Sequence, residues 1–211
     1  MRIFVILILL NLGCLELVKG QTYVQPILGY GLLKTTSSPN QELRISHVVS
    51  DDHFNNGFLL YGLGITQHIF ERFSLQLQYK RSRRTLQYND RGIIGYSNFR
   101  FGLQSVSLIP KVKFLKDFEL GVGFNYNDIH KVQLGFEDRD RWSEGNKYYD
   151  QTQTGWVIMM NYNYKDFILA LEYMNSKSIN LNVFSEISRL QSIELSIRYN
   201  IDVWNKSKRA N

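Results

Sequence analysis

Four histidines, His47, His53, His68 and His130, are the side chains of this sequence best suited to proton transfer or metal binding near neutral pH. Their spacing supports neither, because no His-x-x-x-His pair and no carboxylate at ligand spacing accompanies them. His130 with an aspartate of the same loop and Ser143 is the nearest approach to an acyl-transfer trio, but no fixed spacing ties the three together. Phosphate-cradling glycine loops, dinucleotide fingerprints and paired catalytic carboxylates are also missing from the sequence. The expectation is therefore no catalytic, cofactor-binding or metal residue, with a lipid-modifying enzyme as the weakest of the functional alternatives.

The remaining chemistry lies in charges placed at alternate positions of strand-length stretches. Glu172, Glu194 and Arg198 fall on one face of the last two candidate strands, and Arg72, Lys80 and Lys111 fall on the same kind of face of the third and fourth. Lys113 and Glu119 flank the Leu115-Lys116 turn almost symmetrically, so an antiparallel hairpin sets them opposite one another. A water-soluble barrel has no place for such charges in its core, whereas a transmembrane barrel puts its polar positions inside. Ion pairs and amide networks are the expected filling, since a small barrel has room mainly for side chains.

The elements that carry these residues alternate cleanly. Phe73, Leu75, Leu77 and Tyr79 oppose Ser74, Gln76, Gln78 and Lys80; Phe118, Leu120, Val122, Phe124 and Tyr126 oppose Glu119, Gly121, Gly123, Asn125 and Asn127; and Ile193, Leu195, Ile197 and Tyr199 oppose Ser192, Glu194, Ser196 and Arg198. Each run, over 72–80, 117–127 and 191–201, meets the nine to eleven residues that a tilted transmembrane strand requires. Less regular strands are expected over 22–33, 58–66, 99–114, 155–164 and 167–174. In the 99–114 stretch Phe99, Phe101 and Leu103 keep one parity and Val106, Leu108, Pro110, Val112 and Phe114 the other, which predicts a bulge near Gln104. Short links at 67–71, 115–116 and 165–166 alternate with long polar ones at 34–55, 84–96, 128–151 and 176–190, so the long links form one rim and both ends of the barrel lie at the other. Aromatic residues collect towards both rims: Phe73, Phe114, Phe118, Tyr164, Phe167 and Tyr199 near the short turns, Tyr30, Tyr79, Tyr126, Trp156 and Tyr173 near the long links.

A leader precedes the first strand. Arg2 supplies a positive start, Ile3 to Leu12 is nearly all apolar, and Val18-Lys19-Gly20 offers a cleavage site before Gln21. Residues 1–20 are thus expected to be a cleaved secretory signal and 21–211 a single barrel domain. Cys14 follows a glycine, as in a lipid-attachment box, but Asn11 sits where Leu or Val is wanted. With the leader goes the only cysteine, and with it thiol chemistry and disulfides.

The chain has 25 Lys plus Arg against 19 Asp plus Glu, and removing Arg2, Lys19 and Glu16 with the leader leaves 23 against 18. A basic balance of this size does not require nucleic acid. Lys80, Arg81, Arg83 and Arg84 read as a stretch emerging into an outer loop, where anionic lipid or surface glycan is the nearer counter-charge. Glu137-Asp138-Arg139-Asp140-Arg141 is mixed in sign, as in a hydrated loop.

The fold class expected is all-β, an eight-stranded antiparallel up-and-down transmembrane barrel of the outer-membrane type. With the leader, Ser105-Val106-Ser107-Leu108-Ile109-Pro110-Lys111-Val112-Lys113 and Phe118-Glu119-Leu120-Gly121-Val122-Gly123, the chain resembles the PorT-like outer-membrane β-barrel family of the Bacteroidetes. The resemblance implies integration in the bacterial outer membrane with long loops outside and both mature ends in the periplasm. Some members of that family serve a secretion system or gliding, which implies a structural or accessory envelope role and an envelope protein partner beside the surrounding lipid. The alternatives are a narrow transport channel or receptor for a small solute, and the lipid-modifying enzyme.

Overall fold

The computed structural model describes residues 20–36, 54, 56–87, 96–136, 139–144, 151–179 and 189–204. The hydrophobic leader with Cys14, His47, His53 and the Glu137-Asp138 pair lie outside the described residues. The strands are β1 (Thr22–Thr36), β2 (Asn56–Phe70), β3 (Phe73–Gln87), β4 (Tyr96–Leu115), β5 (Phe118–Phe136), β6 (Arg139–Glu144), β7 (Gln151–Tyr164), β8 (Phe167–Ser178), β9 (Arg189–Tyr199) and β10 (Ile201–Trp204).

These ten segments make eight staves. Neighbours pair antiparallel in the order β10-β1-β2-β3-β4-β5-β7-β8-β9, and β1 also pairs β9, which closes the sheet on itself. β6 pairs β5 outside this circuit, and β10 continues β9 past Asn200 along the same edge of β1. Closure leaves no unpaired edge on the staves, the condition for holding a backbone in lipid. Thr22 and Trp204 are register partners at the short-turn end, so both ends of the barrel lie there.

Tight turns set the register. Glu71-Arg72, Lys116-Asp117 and Lys165-Asp166 connect β2 to β3, β4 to β5 and β7 to β8, and Lys165 takes the left-handed conformation (φ 55°) that such two-residue hairpins need. Arg72 is therefore an exposed turn residue and not part of the lumen, because the strand begins one residue later than its alternation implies. The expected bulge near Gln104 is also absent: β4 pairs β3 without interruption from Phe73↔Val112 to Gln87↔Asn98. The inward set runs unbroken from Phe101 and Leu103 through Ser105, Ser107 and Ile109 to Lys111, so the parity change in the sequence marks a lumen that becomes apolar at its outer end. An irregularity does occur across from this segment in β5, where Gly102↔His130 is followed by Arg100↔Gln133 and Lys131 adopts φ 52°.

Burial is inverted relative to a soluble protein. Leu28, Leu59, Val122 and Ile197 are 55–71% exposed, while Gln76, Asn125, Glu172 and Arg198 are at most 1% exposed. An apolar surface that circles the molecule is far beyond what a monomer tolerates in water and matches the hydrocarbon of a bilayer. Aromatic rings border this belt as expected, with Phe118 5.0 Å from Tyr162 and Phe167 5.1 Å from Tyr199 near the short turns, and Trp156 5.3 Å from Tyr173 towards the long links. Close approach inside requires glycine at Gly123, where a Cβ would sit 2.2 Å from the Leu108 carbonyl oxygen. β4 and β5 span 20 and 19 residues, well beyond the membrane requirement, so the wall continues above the lipid on the long-link side.

A closed sheet of this kind resists detergent. Unheated protein in dodecyl sulfate is expected to migrate ahead of boiled protein and to give a β-type circular dichroism spectrum. A chain that stays monomeric in buffer without detergent and never enters the membrane fraction would contradict the lipid-facing belt.

Candidate functional site

The described side chains bring charges of three staves, β3, β8 and β9, together inside the barrel. On β8 and β9, Glu172 and Glu194 are direct register partners, an arrangement that by itself is repulsive. Lys80 reaches them from β3, which lies four staves from β8 by way of β4, β5 and β7 and four by way of β2, β1 and β9. Its ammonium is 2.9 Å from Glu172 Oε2 and is also bonded to Glu194 Oε2, so a single side chain crosses the bore and ties opposite walls.

Two guanidinium groups complete the cluster. Arg84 Nη2 lies 3.2 Å from Glu194 Oε1, its Nε donates to Ser82 Oγ at 2.9 Å, and its Cζ sits 3.9 Å from the centre of the Phe58 ring. Arg198 donates to Glu172 Oε1, Gln78 Nε2 donates to Glu172 Oε2 at 2.7 Å, and Ser192 Oγ donates to Glu194 Oε1 at 2.8 Å. Lys80, Arg84, Glu172, Glu194 and Arg198 are all 5% exposed or less. Charges so far from water persist only when paired, and each of these is, although Arg84 Nη1 has no hydrogen-bond partner among the described residues.

A second pair closes the short-turn end. Lys113 and Glu119 are register partners, as the symmetric turn predicts, but Lys113 is exposed at the lip and the partner of Glu119 is Lys111, at 2.9 Å. The reason is depth: Lys111 points inward one alternate position further from the turn, where its ammonium meets Glu119 Oε2 together with Asn161 Nδ2 at 3.2 Å.

Between and above these charges the lumen is filled by amides and hydroxyls, then by apolar groups. Ser107 donates to Asn125 at 2.8 Å, Asn127 Nδ2 to Ser176 at 2.9 Å, and Ser176 to Gln153 at 3.0 Å. Towards the long-link end Ile27, Leu33, Phe58, Leu60, Phe101 and Leu103 pack as one buried cluster. The interior thus presents an ion-paired crossbar under an apolar cap.

Sequence reasoning found Glu172, Glu194, Arg198 and Lys111 but misjudged Arg84 and half-missed Lys80. Both lie on β3, which continues to Gln87, so the stretch from Lys80 to Arg84 is wall and not loop. Arg81 and Arg83 do face outward. Lys80, Ser82 and Arg84 keep the parity of Gln76 and Gln78, and that period was the available signal; it was masked because both faces of the segment are basic.

The histidines do not assemble. His68 packs edge-on against Tyr23 at 5.6 Å near the short turns, while His130 lies towards the other rim with Nδ1 3.7 Å from Asp128 Oδ2 and Nε2 3.3 Å from Gln104 Nε2. Ser143 is the register partner of Leu134 in the β5–β6 pairing. Among the described residues no group of three or more His, Cys, Asp or Glu is placed to hold a metal ion.

Solved structures of similar shape are outer-membrane barrels. Ail, the attachment invasion locus protein of Yersinia pestis, in complex with the heparin analogue sucrose octasulfate, superposes with a TM-score of 0.52 at 11% identity, over 87% of this chain and 100% of that one. OprG from Pseudomonas aeruginosa gives 0.48 at 12% identity over 88% and 98% of the two chains, and neisserial surface protein A gives 0.46 at 11% over 85% and 97%. No protein-family model matches the sequence, and no curated protein does. The likeness to Ail shows the fold, an eight-stranded antiparallel outer-membrane barrel, in agreement with the lipid-facing belt derived above.

Proposed function

We propose that this barrel is a non-conducting platform of the bacterial outer membrane that acts through the rim bearing its long loops, as a receptor or attachment protein. The observation that carries the reading is the bore itself, crossed by Lys80 between Glu172 and Glu194 and capped by the cluster around Phe58 and Phe101. An eight-stave barrel filled in this way has no space for a wide water path. In this reading residues 1–20 are a removable leader, residues 21–211 are the working domain, and the long loops face the outside with the short turns in the periplasm. Ail is itself named for attachment, which is compatible with the reading, although at 11% identity the support comes from the filled bore. An accessory role beside an envelope protein partner, and a place among PorT-like barrels, rest on the leader and on the sequence of residues 105–113 and 118–123.

A second reading, a narrow gated conduit for a small solute, is favoured by one feature: polar side chains run from Lys111 and Glu119 through Gln76 and Gln78 to Glu172 and Glu194. Planar-bilayer recording separates the two. Wild-type protein is expected to show no steady conductance, and Glu194→Gln or Arg198→Gln to lower stability without opening a path. Reproducible ion steps from wild type, abolished or regated by either substitution, would replace the receptor reading with the conduit.

A further inference from the structure

The outer surface of the wall carries different charge at its two ends. At the short-turn end each connection neutralises itself, Glu71 beside Arg72, Lys116 beside Asp117 and Lys165 beside Asp166. At the other end the outward positions of the staves carry Lys34 on β1, Arg81 and Arg83 on β3, Arg100 on β4, Lys177 on β8 and Arg189 on β9. Asp128 on β5 is the carboxylate that the described parts of the staves place among them.

Their height is set by the aromatic girdle. Arg81 and Arg83 lie two and four residues beyond Tyr79, Lys34 four beyond Tyr30, and Lys177 four beyond Tyr173. At roughly 3.4 Å per residue along a strand that is about 7–14 Å above the rings, reduced by strand tilt, which is the depth of lipid headgroups. Lys177 and Arg189 are direct register partners, which sets two like charges side by side. Arg83 donates to Gln133 Oε1 and Arg189 to Asn175 Oδ1, both at 2.8 Å, contacts that orient the guanidinium groups and cancel no charge.

We propose that this basic belt is a binding site for lipid-borne phosphate, with Lys177 and Arg189 forming one clamp and Arg81 and Arg83 another, each engaging phosphorylated headgroups of the leaflet around the long-loop end. Guanidinium groups suit phosphate because their paired N–H donors match its oxygens, and the site lies where the lipid interface already is. The proposal goes beyond the receptor reading and does not depend on whether the bore conducts.

The test uses the full mature barrel in phosphatidylcholine nanodiscs carrying a small fraction of fluorescent diphosphoryl lipid A or its dephosphorylated form, with energy transfer from the protein tryptophans as readout. Diphosphoryl lipid A is expected to be enriched around the barrel and the dephosphorylated form not, with enrichment falling as salt rises. The double substitution Lys177→Gln and Arg189→Gln is expected to weaken enrichment at least tenfold, at about fivefold for each cation removed, while Lys113→Gln with Lys116→Gln at the opposite rim leaves it unchanged. Should the first pair fail to fold, Arg81→Gln with Arg83→Gln and the wild-type comparison of the two lipids decide the question. Equal enrichment of both lipids, an equal loss in the short-turn variant, or displacement of lipid A by a soluble sulfated oligosaccharide would overturn the assignment.

Discussion

Replacing Lys80 with Met is expected to lower the stability of the barrel by about 3–5 kcal/mol, the largest effect of any single substitution considered. The stem of the side chain is retained and the ammonium lost, so the change isolates the charge. Glu172 keeps Arg198 and Glu194 keeps Arg84, but the two carboxylates, register partners on adjacent staves, lose the cation that lies between them. Urea unfolding from lipid vesicles measures the cost. Adding Glu194→Gln removes one of the opposed carboxylates and leaves the Arg198–Glu172 pair intact but takes from Arg84 its carboxylate, so the departure of the double variant from the sum of the two single losses measures the coupling. A penalty below about 1 kcal/mol for Lys80→Met would show that water reaches the cluster and that the bore is less tightly filled than its packing implies.

The second large effect lies on the opposite face of the wall. Val122, 55% exposed and midway along β5 between Phe118 and Tyr126, has Ile158 as its register partner on β7. Val122→Arg should cost about 2–4 kcal/mol in vesicles, because the charge is held at mid-bilayer depth. Asp128→Arg, two positions beyond the girdle residue Tyr126, faces the headgroup zone and should cost about 0–1 kcal/mol. Equal penalties at the two sites, or the reverse order, would show that the belt has been placed at the wrong height. Leu77 is a poorer probe despite its outward parity between Ile65 and Leu108, since it is only 7% exposed.

The strands and their facing were legible wherever one face was wholly apolar and the other wholly polar. β5 and β9 read correctly residue by residue for that reason, and the Lys113–Glu119 pairing, expected from the near-symmetric flanks of the turn, is reached through an irregularity between Lys113 and Leu115. The reading failed where the two faces resemble each other. On β3 both faces are basic from Lys80 to Arg84, and on β4 the inward face changes from polar Ser105 to apolar Leu103 and Phe101 as the wall leaves the lipid. Alternation reports which residues share a face and is silent on which face that is, once the solvent outside changes from hydrocarbon to water. Partner choice across the bore was not legible at all: nothing local links Lys80 to glutamates 92 and 114 residues away.

The opposed glutamates bear on how the molecule assembles. The β8–β9 hairpin is local in sequence and sets Glu172 opposite Glu194; Arg198 of the hairpin itself pairs Glu172, whereas the cations that reach Glu194, Lys80 and Arg84, come from the far wall. The hairpin is therefore poorly stabilised as a free unit and gains its full stability when β3 swings into place and the ring shuts. A one-residue slip of β3 would bring Arg81 and Arg83 inward in place of Lys80 and Arg84, so the cost of the wrong register falls on Gln76, Gln78 and Lys80, which it would turn towards hydrocarbon. Contacts this distant along the chain form slowly and late. Lys80 thus fastens the third stave to the two staves opposite it only in the completed ring.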